Sequence, residues 1–345
     1  MSKRRVTLAD VARRAGLSPT AASMILNGRP DTRLSPEAHA RVHAAATELG
    51  YRPNVAARGL RTDKTLTIGF ISDVVATTRF ASGLIKGALQ AAEEAGHVVL
   101  VLETGGEPER QTEAIEAVLD RQVDGIIFAT MRARELHVPD LPPSTPVVML
   151  NATNAHYPTS VLPDEEEGGR AAVRLLVEAG HREGIALVGQ NDELEKNLFR
   201  SATVAKRVFG IRAEMREHGL EFIAEDSCWD WEPDYGYEIT KSLLERRSDV
   251  RALLCMNDRL AFGAYQALAE CGVRVPEDVS VVSFDNDEVA AYLRPGLTTI
   301  ALPHEEMGRA AVELLLAGGG PEDRLVSMPI IVRGSIAPVA AAEAP

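Results

Sequence analysis

At 345 residues, with 45% hydrophobic and 25% charged residues, the chain is long enough for two or three domains and has the composition of an ordinary globular protein. Its formal net charge of −13 hides a division: residues 1–64 carry 12 Lys+Arg against 5 Asp+Glu, a net +7, and the remainder carries 25 against 45, a net −20. A basic head on an acidic body suits a polyanion gripped at one end, because the body repels it elsewhere. No apolar run reaches the roughly 18 residues of a membrane span, and MSKRRVTLAD turns polar before any signal-peptide core, so the expected location is the cytoplasm. Cys228, Cys255 and Cys271 are widely spaced with no C-x-x-C pattern, so buried thiols are expected rather than a disulfide framework or a zinc site. Neither a metal nor a cofactor is expected.

The first elements lie in VTLADVARRAGLSPTAASMILNG, residues 6–28. Thr7 can cap a helix with Asp10 three positions on, Val11, Ala12 and Ala15 form its apolar stripe, and Gly16 stops it. Ser18 is an N-cap, and Pro19 falls at the first position of a second helix, where no backbone N–H is needed. Ala22, Ile25 and Leu26 face inward and Asn27-Gly28 ends it. Two short helices across a tight glycine turn are the helix-turn-helix plan, with Leu17 in the shared core. Ser18, Pro19, Thr20, Ser23, Met24 and Asn27 then point outward, a face without Lys or Glu that suits a major groove better than bulk water. A third helix is expected from its cap Ser35 through Pro36 to Leu49, stopped by Gly50, with Ala38, Val42, Ala45 and Leu49 inward.

In YRPNVAARGLRTDKT, Asn54 can cap a helix over 55–60 that is too short to stand alone. Arg52, Arg58, Arg61 and Lys64 surround Leu60, an apolar residue placed as a base-step wedge would be; the alternative is a flexible basic linker.

From Leu66 onward, apolar runs (LTIGFIS, VVLVLE, DGIIFA, VVMLN, GIALVG, ALLCMN, VSVVSF) alternate with helical stretches at 82–95, 107–121, 165–179, 235–245 and 259–271. That cadence predicts βαβ units and two parallel sheets, hence two lobes with ligand between them beyond the strand carboxyl ends. The residues following the strands are polar at Ser72-Asp73, Asn151, Asn257-Asp258 and Asp285, and Arg207 and Trp231 come from intervening segments. Such a set can hold a small polar ligand. Asp258 reads equally as a helix cap, and Trp231 also fits a partly buried core aromatic.

VTLADVARRAGLSPTAASMILNG with LGYRPNVAARGLR resembles the headpiece and hinge of the LacI/GalR family of bacterial transcription regulators. NDRLAFGAYQAL, GVRVPEDVSVVSFDN and LTTI resemble that family's effector domain. The resemblance implies an all-α helix-turn-helix headpiece joined to an α/β, two-lobed, periplasmic-binding-protein-like effector domain with parallel sheets. The expected bounds are 1–52 for the headpiece, 53–65 for hinge helix and linker, 66–162 with 294–325 for the N-lobe, 163–293 with 326–338 for the C-lobe, and 339–345 for a tail. It implies a homodimer on pseudo-palindromic double-stranded operator DNA, most simply a repressor, with operator affinity set by a small effector such as a sugar. The DNA-contacting set is then Thr7, Ser18, Pro19, Thr20, Ser23, Met24, Asn27, Arg33, Asn54, Ala57, Leu60 and Arg61. Effector contacts implied by the resemblance are Asp73, Phe80, Asn151, Thr203, Arg207, Trp231, Asn257 and Asp285.

Two stretches depart from the family pattern. GQNDELEKNLFRSATVAKRVFG is several residues longer than usual, which loosens the match at Thr203; and Pro19 and Met24 replace polar base readers, shifting weight to Thr20, Ser23 and DNA deformability. IAPVAAAEAP has no leucine heptads for a tetramer-forming coiled coil. A sugar-binding transporter component would share the body but has no use for residues 6–61. An α/β enzyme would need a motif such as G-x-S-x-G, H-E-x-x-H or a Walker loop, and the chain has none.

Overall fold

The computed structural model describes residues 6–27, 34–51, 64–79, 81–190, 201, 203–320 and 323–339. The expected contacts at Arg33, Asn54, Ala57, Leu60, Arg61 and Phe80, most of the 53–65 hinge and most of the tail lie outside these residues. The chain divides into two compact units, Met1–Leu66 and Thr67–Pro345.

Among the described residues the first unit holds three helices, α1 (Leu8–Ala15), α2 (Pro19–Leu26) and α3 (Pro36–Leu49). Each start is capped as its sequence dictates. The Thr7 hydroxyl accepts from the Asp10 N–H at 3.3 Å while the Thr7 N–H donates back to the Asp10 carboxylate at 3.0 Å, a reciprocal capping box. Ser18 Oγ accepts from the Ala21 N–H at 3.1 Å and Ser35 Oγ from Ala38 at 3.3 Å, each followed by a proline at the first helical position. Gly16 and Gly50, at φ 67° and 63°, end α1 and α3 in the left-handed region, where a side chain would be strained. Val11, Ala12, Ala15, Ala22, Ile25, Ala38, Val42 and Ala45 fuse the three helices into one core, as expected, with Ala46 added. Ser18→Ala removes one cap, worth about 1 kcal/mol, and is expected to speed amide exchange in the first turn of α2 about five-fold. Unchanged exchange there would show that the cap contributes nothing.

The second unit is built on two six-stranded sheets. The first contains β1 (Thr67–Ser72), β2 (Val98–Glu103), β3 (Gly125–Glu135), β4 (Val147–Thr153), β5 (Ser160–Pro163) and β11 (Arg324–Val326), in the order β11-β5-β4-β3-β1-β2, all parallel. The second contains β6 (Ile185–Val188), β7 (Ala224–Asp226), β8 (Ala252–Cys255), β9 (Ser280–Asp285), β10 (Thr298–Ala301) and β12 (Ile330–Ile331). Its order is β12-β10-β9-β8-β6-β7, with only the β10/β12 pair antiparallel. The central strands are buried on both faces, which is why they read as continuous apolar runs rather than alternating ones.

The helices are α4 (Ser82–Glu94), α5 (Pro108–Asp120), α6 (Glu165–Glu178), α7 (Val204–Glu217), α8 (Pro233–Arg246), α9 (Asp258–Glu270), α10 (Glu288–Tyr292) and α11 (His304–Leu316). Three pairs cross through reciprocal glycines. A Cβ on Gly87 of α4 would lie 1.9 Å from the Glu305 carbonyl oxygen of α11, and one on Gly308 of α11 would lie 2.0 Å from that of Leu84. Gly169 of α6 and Gly210 of α7 face the Arg207 and Glu166 carbonyl oxygens in the same way, at 2.2 and 2.0 Å. Gly236 of α8 and Gly263 of α9 repeat it at Leu260 and Pro233, at 2.0 and 1.9 Å. Backbone therefore touches backbone at all three crossings, a distance no larger residue permits.

The chain passes between the sheets three times, after Pro163, after Ala301 and after Val326. This corrects the expected boundary at 294, because β10 pairs with β9 through Thr298–Val282 to Ala301–Asp285 and so belongs to the second sheet. Val326 and Pro163 likewise pair with each other in the first sheet rather than opening the C-lobe.

Candidate functional site

A cavity of about 390 Å³ opens between the two sheets at the carboxyl ends of their strands. Met131 and Arg132 near the end of β3, Asn151 of β4 and Pro163 of β5 line it from the first lobe. From the second lobe come Trp229 to Glu232 after β7, Asn257 after β8 and Asp285 at the end of β9.

Arg207 lies on the cavity floor, 2% exposed, and most of its donors are already committed. Its Nε donates to Glu165 at 2.6 Å, Nη2 to the other Glu165 oxygen at 2.9 Å, and Nη1 to the Met256 carbonyl at 2.6 Å. The Asp285 carboxylate stands 3.7 Å from Nη2, and the guanidinium carbon packs 4.3 Å from the Phe284 ring centre and 5.7 Å from that of Trp231. Burial works against this cation, but Glu165 and Asp285 outweigh it and hold its pKa above the ordinary value. Burial also pushes the Asp285 carboxyl well above the usual carboxylate range, against the pull of Arg207. Asp285 has φ 104°, a left-handed backbone that costs a non-glycine residue energy and is tolerated mainly at functional positions.

The other expected residues divide. Asn151, also left-handed at φ 53°, lines the cavity while its Nδ2 donates to the Thr130 and Met131 carbonyls at 3.0 Å each. Thr203 lines it as well, its hydroxyl 3.4 Å from Glu165. Trp231 is fixed as a plate on the wall by its indole N–H, which donates to the Gly189 carbonyl at 2.8 Å. Asn257 is the cap of α9, accepting from the Leu260 N–H at 2.9 Å; the capping role that Asp258 could have filled falls one residue earlier.

Asp73 is not brought to the cavity wall. Its carboxylate is taken up by the Val74 and Met131 N–H groups at 2.6 and 3.0 Å and by Arg134 at 3.1 Å, which staples the turn after β1 to β3.

Asp258, beneath the floor, is fully buried, accepting from the Ser283 hydroxyl and, at 2.7 Å, from the Asp287 N–H. Burial pushes its pKa up to about 6 despite those bonds. The folded state thus keeps this proton longer than the unfolded chain does. The resulting penalty is absent below about pH 4 and grows to about 3 kcal/mol above about pH 6. Urea unfolding of the wild type relative to Asp258→Asn should therefore lose about that much between about pH 4 and pH 7. A difference that stays flat with pH would contradict this.

Glu165, Arg132 and Trp229 are lining residues that sequence reasoning missed. Arg132 follows the apolar run of β3, and its Nη2 reaches Asp230 of the other lobe at 3.9 Å. On the head, Ser18, Pro19 and Thr20 are exposed at the start of α2, and Ser23, Met24 and Asn27 are half-buried, with Asn27 Nδ2 donating to the Ser23 carbonyl at 2.6 Å. Thr7 is exposed just before α1, its hydroxyl engaged with Asp10. Among the described residues, no cluster of three or more His, Cys, Asp or Glu could hold a metal, and no helix is long and apolar enough to cross a membrane.

A helix-turn-helix unit in one chain with a two-lobed, cleft-bearing α/β unit defines a ligand-responsive DNA-binding regulator. Similarity to known proteins agrees with that class. Residues 7–54 match the model for bacterial regulatory proteins of the lacI family, and residues 173–336 match that for periplasmic binding protein-like domains. The chain is 30% identical over 317 residues to the ribose operon repressor of Escherichia coli (strain K12), covering 90% of this chain and 92% of that one. It is 32% identical over 321 residues to the HTH-type transcriptional repressor PurR of Vibrio atlanticus (strain LGP32), covering 90% and 91%. The crystal structure of the lac repressor dimer bound to operator and the anti-inducer ONPF superposes with a TM-score of 0.74 at 26% identity, covering 97% of this chain and all of that one. The chain belongs to the LacI family of bacterial transcriptional regulators.

Proposed function

We propose that this regulator is a homodimeric repressor whose grip on a pseudo-palindromic operator is set by a small polar effector, a sugar or sugar derivative, held between the lobes. The observation that carries the reading is the cavity of about 390 Å³ at the strand carboxyl ends, with Arg207 and Asp285 on its floor and Trp231 on its wall, in one chain with a helix-turn-helix head. Asn151, Thr203, Arg207, Trp231, Asn257 and Asp285 are the proposed effector contacts. Only three strands of chain join the lobes, so an effector touching both can bias their relative angle, provided it binds one arrangement better than the other. On the DNA side, the exposed start of α2 enters the major groove. Arg33, Asn54, Ala57, Leu60 and Arg61 complete the contact set, with Leu60 wedged at a central base step.

Two relatives are consistent with this reading: one is named for the ribose operon, and the lac repressor dimer was crystallised with both operator and an anti-inducer. Selection of bound duplexes from a random pool, repeated with candidate metabolites, tests it. The expected result is enrichment of palindromic sequences and a change in affinity of at least about five-fold with one metabolite. Retention of scrambled duplexes as strongly as selected ones would overturn it.

A further inference from the structure

The floor of the cleft holds one guanidinium against two carboxylates. Arg207 is nearly inaccessible, and the edge it would offer to a ligand carboxylate or phosphate, Nε with Nη2, is occupied by both oxygens of Glu165 at 2.6 and 2.9 Å. Nη1 is turned to the Met256 carbonyl, and the Asp285 carboxylate lies 3.7 Å away on the remaining side. On the walls, Arg132 faces Asp230 at 3.9 Å and Arg259 is bonded to Glu232, so those cations are also met by carboxylates of the site itself. Arg79 reaches the lining only at an exposed position, where water screens it.

We propose that Glu165 sets the charge selectivity of the effector site: it fills the bidentate face of Arg207, so the cleft accepts an uncharged, hydroxyl-rich ligand and turns away carboxylates and phosphates. This rests on the effector-site reading above and deepens it. A ligand anion would have to displace Glu165 into a buried, unpaired position or lie unpaired itself beside Asp285, and both arrangements leave a desolvated charge without a partner. A hydroxyl meets neither obstacle. It can donate to the Asp285 carboxylate, which lines the cavity.

The chain has two tryptophans, Trp229 and Trp231, and both line the cavity, so tryptophan emission excited selectively over the six tyrosines reports on this site. The test titrates full-length wild type, Glu165→Gln and Glu165→Asp with inorganic sulfate and with D-gluconate, using D-glucose as the uncharged control. Gln keeps one acceptor for Arg207 and removes the charge, whereas Asp keeps the charge.

Wild type and Glu165→Asp should show no saturable response to either anion in the millimolar range. Glu165→Gln should show one at least about ten-fold tighter. Saturable anion binding by the wild type as strong as that of Glu165→Gln would overturn the proposal, as would a folded Glu165→Gln that gains none. If Glu165→Gln does not fold, the wild-type titration decides: exclusion of both anions supports the proposal and saturable binding of either overturns it. Failure of the regulator reading shows elsewhere, as an operator affinity that no metabolite alters.

Discussion

Gly169→Ala is expected to destabilise the second lobe by about 3 kcal/mol, toward the upper end of what overpacking costs, and to abolish the effector response. The added methyl would lie 2.2 Å from the Arg207 carbonyl oxygen and 3.0 Å from the Ile211 nitrogen, and neither is a flexible side-chain end that can swing aside. Relief requires α7 to move off α6. Those two helices carry Arg207 and Glu165, so any displacement lengthens the 2.6 Å ion pair on the cavity floor. Gly320→Ala is the control, because a Cβ there meets nothing within 4 Å. Denaturant unfolding of both variants, read beside effector-dependent operator binding, checks this. A Gly169→Ala protein with wild-type stability would show that the crossing is looser than its geometry states.

The second large effect is expected from Arg207→Ala. Removing the guanidinium takes away a proposed effector contact and leaves Glu165, 3% exposed, buried without its counter-ion. Breaking a buried pair in this way typically costs about 3–5 kcal/mol. The variant should therefore lose both stability and effector response, and loss of response alone would be ambiguous. A double replacement, Arg207→Met with Glu165→Leu, separates the two roles. With both charges of that pair gone, only the buried Asp285 carboxyl is left without Arg207, and burial already favours its protonated form, so stability should recover much of the loss while the response stays absent. Equilibrium unfolding and effector titration of the single and double variants provide the comparison. A double variant that regains the response would remove Arg207 from the effector site.

Much of this architecture was legible because its signals are local. Thr7 with Asp10, Ser18 with Pro19 and Ser35 with Pro36 are hydrogen-bonding patterns that need no tertiary partner, and each starts a helix where expected. The inner strands announced themselves as runs of Val, Ile and Leu buried on both faces. By contrast β7, β11 and β12 are three residues or fewer and largely unburied, too short for a periodic pattern, and pairing alone defines them.

The cavity floor was half legible. Arg207 was read from a segment between strands and from the family resemblance, but Glu165 sits in the first turn of α6 beside Glu166 and Glu167, where acids favour the helix dipole whatever else they do. Its role depends on which helix face meets α7. That choice is made by Gly169 and Gly210, residues that read locally as weak points in a helix. Asp73 presents the opposite case: it follows a strand as a ligand-binding residue would, while its carboxylate is held by the backbone and Arg134 of its own lobe.

The most direct test follows from the reciprocity of coupled equilibria. For the metabolite that changes Trp229 and Trp231 fluorescence, its Kd should be measured with and without saturating operator, and the operator Kd with and without saturating metabolite. The two ratios should be equal and differ from one by at least about five-fold. Saturable binding in the cleft that leaves the operator Kd untouched would contradict the central claim that this cavity governs the grip of the head on DNA.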